Sequence, residues 1–74
     1  NAVQPGAINT PMMQRYVQAA ENSEQQLSEF AASHPMNRVG EPEEVVNAVL
    51  FLASEDSAFT TGDSISVDGG VIAI

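Results

Sequence analysis

No stretch of this chain has fewer ways to fold than residues 42–54, PEEVVNAVLFLAS. Val45, Val49 and Leu52 recur at the spacing of one helical face, and Val46, Leu50, Phe51 and Ala53 widen that face around the cylinder. Pro42 suits a first helical position, where its missing N–H costs nothing. Glu41, Glu43 and Glu44 put negative charge at the positive end of the helix dipole. A surface helix normally keeps a broad polar face. Here only the first turn and Asn47 are clearly polar, so the pattern predicts a helix covered on two sides, by its own sheet and by a partner.

The rest of the chain has to supply that sheet. Asn1-Ala2-Val3-Gln4 followed by Pro5-Gly6 reads as the end of a strand, cut short at its start, running into a turn where glycine permits tight geometry or close ligand approach. Thr10-Pro11 is an N-cap followed by a first-turn proline, and Met13, Tyr16, Val17 and Ala20 give a short amphipathic helix over residues 11–20. Ser23 and Gln26 form a capping-box pattern opening a second helix over residues 24–33, with Leu27, Phe30 and Ala31 to bury. His34-Pro35 ends it, because a residue before proline is biased away from helix. After the long helix comes a turn with Phe59 to bury, then Ser64-Ile65-Ser66-Val67, which alternates as a strand does. Asp68-Gly69-Gly70 taken alone is a hairpin signal, and residues 71–74 form an apolar tail. Two strands joined through helices are expected to lie parallel with a right-handed crossover.

Composition narrows the function. The 74 residues allow one small domain, and a chain of this size buries only about 60% of its unfolded surface. There is no cysteine to staple it and no His/Cys cluster for zinc. The net charge of -8 sets ten carboxylates against Arg15 and Arg38, which argues against nucleic acid and against anionic membrane surfaces. No apolar run approaches a membrane span and no signal peptide opens the chain, so a soluble, cytoplasmic protein is the expectation. An anionic ligand would have to be held by backbone N–H groups or a helix start.

Several of these motifs, taken in order, resemble the short-chain dehydrogenase/reductase family. Asn1-Ala2-Val3-Gln4-Pro5-Gly6-Ala7-Ile8-Asn9-Thr10 is similar to its N-x-V-x-PG-x-I-x-T segment. Residues 35–45, PMNRVGEPEEV, resemble its P-x-x-R-x-G-x-P-x-E-[VI] run, and residues 65–70, ISVDGG, its closing strand. Asn37 stands where glycine is common in the family, and Asn is the next most tolerant of left-handed backbone. The resemblance implies an α/β fold: the carboxyl-terminal portion of a Rossmann-type, doubly wound parallel sheet in an enzyme that interconverts an alcohol and a ketone or aldehyde with NAD or NADP. It implies that Pro5 and Gly6 form a turn beside the nicotinamide. Ile8 would bond the carboxamide through its backbone, and Thr10 would reach the carboxamide or pyrophosphate through its hydroxyl. Residues 11–33 would be a substrate lid, with Met12, Met13, Tyr16 and Met36 as apolar contacts for a small-molecule substrate. Residues 42–54 and the last strand, 64–67, would form a homo-oligomer interface. The family's T-G-x-x-x-G-x-G loop, catalytic serine and Tyr-x-x-x-Lys pair have no counterpart here, since Tyr16 is the single tyrosine and there is no lysine. The chain is therefore expected to depend on a preceding part of the same enzyme and to be inactive alone.

Plainer roles stand beside these. Thr10 can serve as an N-cap alone, and Met12, Met13 and Tyr16 as packing. His34 reads as a solvent-facing helix terminus, Arg38 as the partner of a carboxylate or a cap for carbonyls, and Asp68-Gly69-Gly70 as a turn rather than a metal site. A rival from another class is a non-enzymatic association fragment, dimerising through residues 42–54 and 71–74 and binding no cofactor.

Overall fold

A computed structural model describes residues 1–73. Strand β1 (Ala2–Pro5) and strand β2 (Ser64–Val67) lie side by side and parallel, with Ala2 opposite Ser64 and Pro5 opposite Val67. Between them run α1 (Pro11–Ala19), α2 (Ser23–Ala32) and α3 (Pro42–Ala53). The ladder is extended at both ends. Asn1 grips the turn before β2, its side-chain carbonyl accepting from the Asp63 N–H at 2.9 Å and its amide donating to the Thr60 carbonyl at 3.0 Å. Past Pro5, the Gly6 N–H donates to the Val67 carbonyl at 3.0 Å.

Alternation in β2 comes out as expected: Ile65 and Val67 are half-buried, while Ser64 and Ser66 face solvent. Helix α3 packs on both strands. Its half-buried stripe is Val45, Ala48 and Leu52 rather than Val45, Val49 and Leu52. Val49 instead joins Val46, Leu50 and Phe51 on an exposed outer face, so the helix is apolar on two sides and covered on one. At its far end the buried Ser57 donates to the Leu52 and Ser54 carbonyls at 3.0 and 3.1 Å, satisfying groups that a helix terminus leaves open.

Other expectations need correction. Helix α2 is capped by Asn22, whose side-chain Oδ1 accepts from the Gln25 N–H at 3.1 Å, so Ser23 is the first helical residue rather than the cap. Asn caps at least as well as Ser, and Asn22 holds the extended backbone that a cap requires. Leu27 and Phe59 are exposed, because nothing among the described residues lies over them. Asp68-Gly69-Gly70 makes no hairpin. The Asp68 carboxylate accepts from the Gly70 N–H at 3.0 Å and the Ile72 N–H at 3.3 Å, turning the chain into a single helical turn, Val71–Ala73. The end of the expected apolar tail, Ile74, lies outside the described residues.

The described chain measures 47 × 26 × 15 Å, with a radius of gyration of 14.3 Å. A compact chain of this length would have roughly 11 Å. No hydrophobic side chain among the described residues is fully buried. No described helix is long and apolar enough to cross a membrane. A slab one helix thick on two strands cannot surround a core. Purified in isolation, residues 1–74 should therefore associate or melt without a sharp transition. A steep thermal transition of a monomer, independent of concentration by sedimentation and circular dichroism, would contradict this.

Candidate functional site

The backbone after β1 leaves the sheet at its carboxyl edge and is fixed there group by group. The Ala7 N–H donates to His34 Nε2 at 3.1 Å, and the Ala7 carbonyl accepts from the Gly40 N–H at 2.9 Å. The Asn9 N–H donates to the Gly40 carbonyl at 2.8 Å, so residues 7–9 run beside the loop that leads into α3. The Ile8 carbonyl accepts from the Thr10 N–H at 2.8 Å. The Ile8 N–H makes no hydrogen bond among the described residues. Thr10 has extended backbone and caps α1, its hydroxyl oxygen accepting from the Met13 N–H at 3.2 Å. That bond uses a lone pair, so the hydroxyl proton remains available for an acceptor.

Pro5, Gly6, Ile8 and Thr10 line one wall of an open groove of about 560 Å³, and Met12, Met13 and Tyr16 line another, with Phe30 and Val45 completing it. The Tyr16 and Phe30 rings meet at 5.9 Å and 58°, tying α1 to α2 across the groove. Met12 and Tyr16 remain largely exposed, as side chains of an open wall must be. Seven of the eight site residues expected from sequence thus share one concavity. Met36 does not join them. It lines a second cavity of about 300 Å³ with His34, Arg38, Glu44 and Asp68.

His34 is not solvent-facing. It is 6% exposed, among the most buried residues described, wedged between the turn at Gly6 and the turn at Gly69. A Cβ on Gly6 would lie 2.8 Å from His34 Nε2 and 3.0 Å from the Asp68 Cα, so the glycine is required by the protein's own packing. The sequence hint was that glycine. The residue it makes room for lies 28 positions away, beyond the reach of local pattern.

Arg38 and Glu44 form a two-pronged ion pair, with Nη1 to Oε1 at 2.8 Å and Nη2 to Oε2 at 2.9 Å. Arg38 also donates to the Val39 carbonyl, and Glu44 Oε1 accepts from the Glu41 N–H at 2.9 Å at the start of α3. The Arg38 guanidinium and then the Glu41 N–H hold the Glu44 carboxyl at about 2, below its ordinary 4.5. Asn37 reaches this geometry with a φ of 59°, the left-handed backbone expected of it.

A groove at the carboxyl ends of parallel strands, beside a capped helix start, is where Rossmann-type sheets place their ligands. Comparison with known proteins identifies the family and the fold. The family model described as Enoyl-(Acyl carrier protein) reductase matches residues 1–72. The chain belongs to this family, within the short-chain dehydrogenases/reductases. It is 44% identical over 71 residues to 2-keto-3-deoxy-L-fuconate dehydrogenase of Xanthomonas campestris, covering 95% of this chain and 24% of the relative. It is 44% identical over 72 residues to the 3-oxoacyl-[acyl-carrier-protein] reductase FabG of Thermotoga maritima, covering 97% of this chain and 27% of the relative. The chain therefore spans about a quarter of these curated relatives. Among solved structures, a C-terminal deletion mutant of Thermoplasma acidophilum aldohexose dehydrogenase superposes on all of this chain and 34% of its own, with a TM-score of 0.92 at 39% identity. ElxO with NADP bound superposes on all of this chain and 29% of its own, with a TM-score of 0.87 at 35% identity. The fold is accordingly a partial α/β domain of Rossmann type.

Two outcomes follow from these contacts. Gly6→Ala should destabilise the complete protein by roughly 1–3 kcal/mol, because one of the obstructing atoms is backbone and cannot swing aside. Denaturant melts would read this, and an unchanged midpoint would contradict it. Glu44 has a depressed folded value, so its contribution is present above pH 4.5 and is lost as pH falls through about 2. Glu44→Gln should lower the melting temperature at neutral pH, and the gap from the parent should close as pH falls from 4.5 toward 2.

Proposed function

We propose that this chain is the carboxyl-terminal segment of an NAD- or NADP-dependent oxidoreductase that interconverts an alcohol and a ketone or aldehyde. The observation that carries it is the meeting, in one groove, of an unengaged Ile8 N–H, a Thr10 hydroxyl with a proton to give, and the apolar side chains of Met12, Met13 and Tyr16. Backbone N–H groups and a helix start suit a dinucleotide amide or phosphate in a chain of net charge -8, where cationic side chains are scarce. The family membership and the NADP-bound structural neighbour support the same cofactor class.

In this assignment Pro5 and Gly6 border the nicotinamide, the Ile8 backbone holds the carboxamide, and Thr10 donates to the carboxamide or pyrophosphate. A bound dinucleotide supplies hydride transfer. Helices α1 and α2 lie over the groove as the substrate lid, with Met12, Met13 and Tyr16 excluding water from a small-molecule substrate, while Met36 lines the neighbouring cavity instead. The outer face of α3, together with β2, forms the subunit interface of a homo-oligomer. The general acid and the groups that tune it belong to the preceding part of the enzyme, since this chain has no lysine and its one tyrosine sits on the lid. Alone it is inactive.

The exposed apolar face of α3 also favours a second reading, a fragment that associates through this helix and binds no dinucleotide. Titrating NAD(H) and NADP(H) against the complete protein separates the two, and failure of both to bind or turn over excludes the enzyme. Within an active enzyme, Thr10→Val should raise the KM for dinucleotide roughly tenfold, the scale of one hydrogen bond. Thr10→Ser should restore it, and equal KM values for the valine and parent forms would remove Thr10 from the site.

A further inference from the structure

We infer that His34 is a positioning residue, a neutral imidazole whose Nε2 accepts the Ala7 N–H and thereby orients the backbone that aims the Ile8 N–H into the groove. The kinetic consequence rests on the cofactor reading given above, and the structural one does not.

The ring's two neighbours dictate its tautomer. Nε2 faces the Ala7 N–H at 3.1 Å, and an amide can only donate. Nε2 must therefore offer its lone pair. Nδ1 lies 2.8 Å from the Phe30 carbonyl, which can only accept, so Nδ1 carries the proton. Ser33 Oγ lies 3.1 Å from Nδ1 but already donates to the same Phe30 carbonyl at 2.7 Å, and is placed to share the Nδ1 proton. The imidazole thus bridges the last turn of α2 to the loop after β1. Its main chain is held as well, the His34 N–H donating to Ala31 and the His34 carbonyl accepting from Asn37 at 2.7 Å.

Two consecutive peptide planes are fixed in this way. His34 holds the plane between Gly6 and Ala7 through its N–H. The Gly40 N–H holds the plane between Ala7 and Ile8 through its carbonyl. All peptide bonds described are trans, so in the second plane the Ile8 N–H points away from Gly40. Fixing both planes leaves the Ala7 dihedrals little freedom, and the direction of the Ile8 N–H follows. Gly6 and Gly69 keep the imidazole in place: a Cβ on either would lie within 3.3 Å of a His34 side-chain atom. No other side chain among those described bonds the backbone of residues 5–8.

The test uses the complete enzyme carrying this segment and two substitutions that divide the ring's functions. Asparagine places its amide where Nδ1 lies and cannot reach Ala7. Glutamine reaches the Nε2 position with an oxygen that can accept. With His34→Asn, the Ala7 amide should exchange faster with solvent and the KM for the dinucleotide should rise roughly tenfold, the order expected when one partly buried amide loses its partner. His34→Gln should recover both. In the parent enzyme, ¹⁵N spectra should show an unprotonated Nε2 and a protonated Nδ1. An Nε2–H tautomer overturns the inference, as does equal Ala7 exchange in the asparagine and glutamine forms. If the Ala7 amide responds as expected while the KM for the dinucleotide stays constant, His34 does position the loop, and the placement of that loop against the dinucleotide is what fails.

Discussion

Parallel pairing of two four-residue strands is the constraint from which the remaining geometry follows. Parallel neighbours cannot be joined by a tight turn, so the chain must leave the sheet, cross over and return. The route it takes carries α1 and α2 past the carboxyl edge and lays α3 along one face. The ladder continues one residue beyond β1 through the Gly6 N–H and the Val67 carbonyl, and this extra bond sets where the backbone turns away. The groove begins at that turn.

The loop beyond the turn is held almost entirely by backbone groups and one imidazole. Residues 7–9 take two bonds from Gly40 and one from His34, and Thr10 closes the series by capping α1. A chain with ten carboxylates and two arginines has little cationic side-chain charge to spend on a ligand. It presents dipoles instead, and dipoles serve only when their direction is fixed. In the proposed function, the fixed direction of this loop's backbone groups is what would let it recognise a polar ligand.

Local signals in the sequence were reliable where the cause was local. Thr10-Pro11 opens α1, Pro42 with its acidic neighbours opens α3, and Ile65 and Val67 alternate with serines as a half-covered strand does. The parallel order followed from two strands separated by helices. What pattern alone could not reach were features decided by distant partners. His34 was legible as the end of a helix but not as a buried link to Ala7, since its environment is built from three separate segments. Ala48 takes the place expected of Val49 on the half-buried stripe of α3, because residues three and four positions on both neighbour Val45 on a helix. Leu27 and Phe59 looked like core residues, and here they stand uncovered, because side-chain character says what should be covered and not by what. Met12, Met13 and Tyr16 enter the groove as the family resemblance implies, while the separation of Met36 from them depends on the path of the loop after α2.

The Arg38–Glu44 pair carries a consequence of its own. Both side chains remain nearly half exposed, at 48% and 42%, and one of only two arginines is committed to the pair. Dissolved ions weaken an attraction of this kind. The same ions relieve the mutual repulsion of an excess of eight negative charges, which otherwise favours a more expanded chain. Ionic strength therefore pulls this molecule in two directions at once, loosening the clasp at the start of α3 while easing the crowding of charge everywhere else.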